Sequence, residues 1–92
     1  MKKIELTNGF KASINEEKLH DMEFLEVLVD VDAGNVMSYP KLVTKLLTDK
    51  QKQQLYDKIR NKKGIVPVED VGKAIVEIIK QLGQEEDEGK NS

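Results

Sequence analysis

Apolar side chains recur along this chain in two periods, and the change of period divides it into a hairpin and a set of helices. Ile4 and Leu6 alternate with charged residues, Asn8-Gly9 is a turn signal, and Phe10, Ala12 and Ile14 alternate again. That is the period-two pattern of two short strands. The loop length follows from asking which register gathers the apolar residues. A two-residue Asn8-Gly9 loop would set Ile4 and Leu6 on the opposite face from Phe10, Ala12 and Ile14. A three-residue loop, Thr7-Asn8-Gly9, pairs Leu6 with Phe10 and Ile4 with Ala12 on one side. It also puts Gly9 where such loops take a left-handed residue, and Glu5 opposite Lys11. The three-residue loop is therefore expected. A lone hairpin is marginal in water, so this one must lie against the helices.

From Asp21 the period lengthens. Met22, Leu25, Leu28 and Val29 recur at steps of three and four, and Phe24, Val27 and Val31 widen that face past half of the helix circumference. A stripe this wide predicts a helix touched on several sides, the hub of the core. Glu23, Glu26 and Asp30 fall on the remaining strip and would face water or a basic neighbour. Upstream, Asn15 is placed as an N-cap before Glu16 and Glu17, with Ile14 and Leu19 as a hydrophobic staple. Residues 15–20 either run into the hub helix or form a separate turn recapped at Asp21. Gly34 ends the hub as a left-handed cap.

Ser38 caps a short helix with Tyr39 and Pro40 in its first turn and Leu42, Val43, Leu46 and Leu47 on its apolar face. Thr48-Asp49-Lys50-Gln51 matches a capping box and opens a helix from Asp49 to about Lys63. Leu55, Tyr56 and Ile59 are the only candidates for burial on it. Pro67 opens the last helix, whose Val68, Val71, Ile75, Ile78, Ile79 and Leu82 form a sustained stripe, and Gly83 stops it. Residues 84–92 hold four consecutive acids and nothing apolar, and are expected to be disordered. The predicted architecture is α+β: an N-terminal β-hairpin packed on a bundle of about four short helices, one domain over residues 1–83 with an acidic tail over 84–92.

Composition narrows the chemistry more than it names it. The 92 residues suffice for one modest core. The absence of cysteine excludes disulfides and thiolate metal sites and fits a reducing compartment. No apolar run approaches the roughly 18 residues of a membrane span. The charged start, Met1-Lys2-Lys3-Ile4-Glu5, is not followed by the unbroken apolar run of a signal peptide, so a cytosolic protein is expected.

Net charge is −2 but unevenly spread: residues 1–40 carry four Lys against eight Asp/Glu, residues 41–63 eight Lys/Arg against two Asp, and residues 64–92 three Lys against seven Asp/Glu. A basic middle between acidic flanks suits pairing within or between copies better than binding a polyanion, which the chain as a whole repels.

The reactive constellations searched for are absent. His20 is the sole histidine, and a lone histidine beside an apolar helix is far more often a surface or packing residue than a catalyst; with no cysteine no Cys-His arrangement can be assembled. A pair of glycosidase carboxylates would need a larger scaffold around a cleft. Read as a calcium loop from Asp30, the sixth position is Asn35 and the twelfth Lys41, where glycine and a bidentate glutamate are required. Gly83 to Lys90 has the wrong glycine spacing for a phosphate loop, and its acids would repel the ligand. No enzyme activity, metal or cofactor is expected. The basic helix over 49–63 offers Lys50, Lys52, Lys58, Arg60, Lys62 and Lys63 to phosphates. No base-reading motif accompanies them, and nucleic acid is not expected as a partner.

Taken together, these segments resemble a known family. A short β segment leads into Leu19-His20-Asp21-Met22-Glu23-Phe24-Leu25-Glu26-Val27-Leu28 and an acid–glycine turn at Asp32-Ala33-Gly34. Lys41-Leu42-Val43-Thr44-Lys45-Leu46-Leu47 follows, then a capped helix reaching Arg60, then Gly64-Ile65-Val66-Pro67-Val68-Glu69-Asp70-Val71, and the chain closes on Gly89-Lys90-Asn91-Ser92. This pattern is similar to the small tail assembly chaperones of long-tailed (siphovirus-type) phages and prophages of Gram-positive bacteria.

The resemblance implies a protein of the host bacterial cytoplasm that binds the long tape measure protein, supports tail tube polymerisation and is absent from the mature virion. Many members are also made in a longer, frameshifted form, and an acidic tail would suit a tether. Coating a long helical client calls for many weak repeated contacts, hence a homo-oligomer. The expected self-association surface sets Lys50, Lys52, Lys58, Arg60, Lys62 and Lys63 of one copy against Glu23, Glu26 and Asp30 or the last helix of another. Such an association should depend strongly on salt. Apolar residues of the last helix, or Val36 and Met37, are the expected client contacts. The alternative readings are a small acidic phage protein that binds a host factor, and a nucleic-acid-binding module acting through helix 49–63.

Overall fold

A computed structural model describes the backbone of residues 1–91 and the side chains of residues 1–83. The chain is an α+β fold: strands β1 (Lys2–Glu5) and β2 (Lys11–Ile14), then helices α1 (Met22–Asp32), α2 (Tyr39–Leu46), α3 (Asp49–Ile59) and α4 (Val68–Asn91). Short 3-10 turns at Glu16–His20 and Val36–Ser38 lead into α1 and α2.

The hairpin adopts the register that gathers its apolar residues. Ile4 pairs with Ala12 and Glu5 with Lys11. Beyond them, the Leu6 amide donates to the Phe10 carbonyl and the Gly9 amide to the Leu6 carbonyl, both at 2.9 Å, closing a three-residue loop. Gly9 sits at φ +93°, which the loop requires and a side chain would resist. Ile4, Leu6, Phe10 and Ile14 are all buried on one face.

Both outer edges of the hairpin are tied to helices. Gln81 of α4 accepts from the Glu5 amide at 3.1 Å and donates to the Glu5 carbonyl at 2.7 Å. One helical turn earlier, the Glu77 carboxylate accepts from the Thr7 amide and the Thr7 hydroxyl, both at 3.0 Å. Glu5 and Thr7 flank Leu6, which bonds across to Phe10, and so occupy the alternate positions whose backbone groups point off the sheet and would otherwise face only water. On the other edge, the Gln51 side chain of α3 donates to the Ser13 carbonyl at 3.1 Å.

Capping residues place the helices. Asn15 caps the 3-10 turn, accepting from the Glu17 amide at 3.0 Å, and Asp21 then recaps the chain for α1, accepting from the Glu23 amide at 3.3 Å. The two elements are therefore separate. At the far end of α1, Gly34 at φ +95° closes a Schellman motif: Asn35 donates to the Asp30 carbonyl and Gly34 to the Val31 carbonyl, both at 3.0 Å. Thr48 and Gln51 form the reciprocal capping box at the start of α3.

Four expectations need correction. First, α1 is not the hub. Phe24 and Val27 are buried and Leu28 and Val31 half-buried, but Met22, Leu25 and Val29 on the adjoining face stand 65%, 44% and 59% exposed. The core is instead built by the hairpin face, by Leu42, Val43, Leu46 and Leu47 around α2, by Leu55 of α3, and by Val71, Ala74, Ile75, Ile78 and Leu82 of α4. Second, α3 ends at Ile59, four residues short of Lys63. The Asn61 side chain accepts from the amides of Lys63 at 2.9 Å and Ile65 at 3.1 Å, offering the backbone an alternative to further helix.

Third, Ser38 makes no side-chain cap to α2. Its hydroxyl accepts from the Asn35 side chain at 3.3 Å, and Asn35 caps the preceding 3-10 turn. Fourth, α4 runs through Gly83 rather than stopping there. Gly83 is not among the glycines of positive φ, and an interior glycine costs a helix only about 1 kcal/mol relative to alanine. The disorder expected of residues 84–92 falls on side chains outside the described set.

The orientation of α1 is testable with two neighbouring residues. Phe24→Ala should destabilise the fold by about 3–5 kcal/mol in denaturant unfolding. In dilute solution Leu25→Ala should stay within about 1 kcal/mol of wild type. A larger loss at Leu25 than at Phe24 would mean that α1 is turned the other way.

Candidate docking surface

Two apolar hollows lie side by side on the surface, and one tyrosine separates them. The first is formed where the Val36–Ser38 turn, α2 and α3 meet the start of α4. Val36, Met37, Tyr39, Pro40, Tyr56, Val66, Val68 and Val71 line it, Gln53 and Arg60 are its polar members, and its volume is about 470 Å³. The second lies between α1 and α4, with a volume of about 560 Å³. It is lined by apolar residues that include Leu25, Val29, Val76 and Ile79, by Tyr39 and Gly72, and by two charges, Asp32 and Lys80.

The local structure explains why apolar groups stay uncovered here. The Schellman motif at Gly34 and the Asn35 cap, whose side chain accepts from the Met37 amide at 3.2 Å, fix the turn between α1 and α2. Val36 and Met37 are thereby held 47% and 83% exposed. The sequence pattern already pointed to these two. What it did not show is the ridge. A Cβ on Gly72 would fall 2.9 Å from the Tyr39 hydroxyl oxygen and 3.0 Å from ring carbon Cε2, so the ring lies against α4 in the space a side chain at 72 would otherwise take. Tyr39 lines both hollows and keeps them apart.

The charged residues expected to form a self-association surface are dispersed. Glu23, Glu26 and Asp30 are exposed on α1, and Glu23 pairs with Lys45 of α2 at 3.4 Å. Lys50 is exposed on α3 and Lys52 half-buried. At about 100° per residue these two point to opposite sides of the helix. Lys58 stands beside the hairpin loop, its Nζ 3.7 Å from where a Gly9 Cβ would lie. The Arg60 guanidinium donates to the Gly64 carbonyl at 3.0 Å and to Asp57 at 3.4 Å, bracing the turn that ends α3. Lys62 and Lys63 are exposed within that turn. Within one chain Glu23 meets Lys45 of α2 rather than a charge of α3.

Among the described residues no group of three or more His, Cys, Asp or Glu side chains could hold a metal ion. No helix there is long and apolar enough to cross a membrane. Comparison with protein-family models, with curated proteins and with solved structures returns no match.

Gly72→Ala tests the ridge. The helix gains about 1 kcal/mol of intrinsic propensity, while the new methyl meets the far end of a side chain that can swing aside. The expected outcome is a folded protein within about 1 kcal/mol of wild type, with large changes in the Tyr39 ring resonances and small ones at Tyr56. Unchanged Tyr39 signals would show that the ring does not lie on Gly72.

Proposed function

We infer that this chain is a tail assembly chaperone of long-tailed phages or prophages, which holds the tape measure protein in soluble form and supports tail tube polymerisation around it. The reading rests on the resemblance of the sequence to that family. The structural observation that best supports it is the hollow at Val36 and Met37. A chaperone for a long helical client needs a shallow apolar trough that accepts the apolar stripe of a helix without demanding one sequence. Methionine suits such a trough, because its unbranched thioether adapts to irregular surfaces, and Met37 is the most exposed apolar residue in the hollow. Gln53 supplies a polar group at the rim that can orient a helix without fixing its register. Weak contacts of this kind become useful when many copies line one client.

The decisive experiment is co-expression with a tape measure protein of such a phage, followed by size-exclusion chromatography of the soluble fraction. The expected outcome is a soluble tape measure protein that co-elutes with many copies of this chain. Met37→Glu, which alters a side chain already in water, should leave the melting temperature unchanged and reduce co-elution about tenfold or more. A tape measure protein that stays insoluble while this chain elutes alone would defeat the reading and favour a host-factor partner.

A further inference from the structure

We propose that the hollow between α1 and α4 is closed in solution by a second copy of this chain, related by a two-fold axis, with α1 of each copy against α4 of the other. The inference does not rest on the chaperone reading, which uses the other side of the Tyr39 ridge.

The first observation is the mismatch between what α1 is built to bury and what the fold buries. Its sequence carries an apolar stripe wider than one contact surface needs, yet the chain covers only the side bearing Phe24 and Val27. Met22, Leu25 and Val29 form a second stripe at steps of three and four, and Val76 of α4 stands 51% exposed across the groove from Leu25 and Val29. Leu28, Val31 and Ile79 are half-buried at its base. A helix apolar on two sides requires covering on two sides, and an apolar patch of this kind marks an interaction surface.

The second observation selects the occupant. The lining holds two charges of opposite sign, Asp32 at the end of α1 and Lys80 on α4. A two-fold contact is self-complementary: whatever one copy offers, the other must receive at the symmetry-related place. With α1 laid on α4 of the second copy, Asp32 of each copy faces Lys80 of the other. The contact then places two ion pairs at its margin and apolar side chains in its centre.

The third observation is an electrostatic fault that such a partner repairs. The last turn of α1 carries Asp30 and Asp32 and no basic residue. Carboxylates at the negative end of a helix dipole are unfavourable, and a cation brought to that end offsets them. Within the chain, α2 supplies Lys45 to Glu23 near the other end of α1. A second copy brings Lys80 to the end that lacks a cation.

The mode of association separates this contact from one built on scattered surface charge. An apolar centre keeps its strength in concentrated salt, whereas exposed ion pairs are screened. The test is sedimentation equilibrium of the full 92-residue chain over a wide range of concentration, in low and in roughly 1 M salt. The expected result is a reversible monomer–dimer equilibrium that survives high salt.

Val29→Lys and Val76→Lys, each entering a symmetric contact twice, should raise the dissociation constant by about a hundredfold or more. The circular dichroism spectrum of each should stay that of wild type, because both positions face water in the monomer. Asp32→Lys and Lys80→Asp should each weaken the dimer, and the double variant should recover it. The chain has no cysteine, so Val29→Cys in one copy and Val76→Cys in another give a direct probe: oxidation of the mixture should cross-link the two.

A monomer at every concentration overturns the proposal. So does a dimer indifferent to Val29→Lys, or one that dissolves on adding salt. If the free chain is monomeric and Val29→Lys instead abolishes co-elution with the tape measure protein, the hollow belongs to the client. Failure of the chaperone reading itself would show as loss of client binding in wild type and would leave the dimer untouched.

Discussion

A two-stranded hairpin has one face and two edges to satisfy and cannot satisfy them alone. The rest of this chain is arranged around that requirement. The face carries Ile4, Leu6, Phe10 and Ile14, all buried. Strands this short cannot hold such a face out of water without a cover. The cover comes from the far end of the chain as well as the near one, since α4 packs on β1 across some seventy residues of sequence. The edges then fix how the cover sits. Gln81 and Glu77, one turn apart on α4, take the free backbone groups of Glu5 and Thr7, and Gln51 takes the Ser13 carbonyl. Burial alone would let α4 slide or rotate over the hairpin. A side-chain amide and a carboxylate bonded to particular backbone groups set its register.

That arrangement explains which parts of the fold were legible from sequence. The hairpin loop was, because a period of two makes one register bury every apolar residue and the other register scatter them. The capping box at Thr48 and Gln51 and the left-handed glycines at Gly9 and Gly34 were legible for a similar reason, since each is a local device with a local signature. The long-range devices were not. Nothing in Glu77 or Gln81 distinguishes them from ordinary polar residues of a helix exterior until the strand they serve is beside them. The apolar stripe of α1 misled in an instructive way: periodicity says that a face is meant to be covered, and not by what. Read for a single chain, it made α1 the hub. The fold leaves three of its seven apolar residues, Met22, Leu25 and Val29, exposed.

The candidate site was legible in part for the same reason. Val36 and Met37 stood out as apolar residues in a connector, where no core calls for them. Tyr39 and Gly72 gave no signal, because a tyrosine in the first turn of one helix and a glycine inside another acquire meaning only through their contact. The basic segment was over-read. Counting charges along 49–63 treats them as one surface, whereas a helix distributes neighbours by about 100° each and here ends before the last of them. Arg60, moreover, is occupied in holding Gly64 and Asp57.

The two hollows have consequences for each other because one ridge bounds both. If the α1–α4 face joins two copies, each dimer carries two Val36–Met37 hollows held in a fixed relation by the rigid helices between them. A client helix engaged by one hollow then meets the second at a high effective concentration, and the linkage raises affinity without any new contact. Tyr39 is placed to couple the events. Its ring lies on Gly72 and lines both hollows, so a helix packed against one would bear on the shape of the other. Pairing of copies and capture of client would in that case favour each other by the same factor in both directions, as linkage requires.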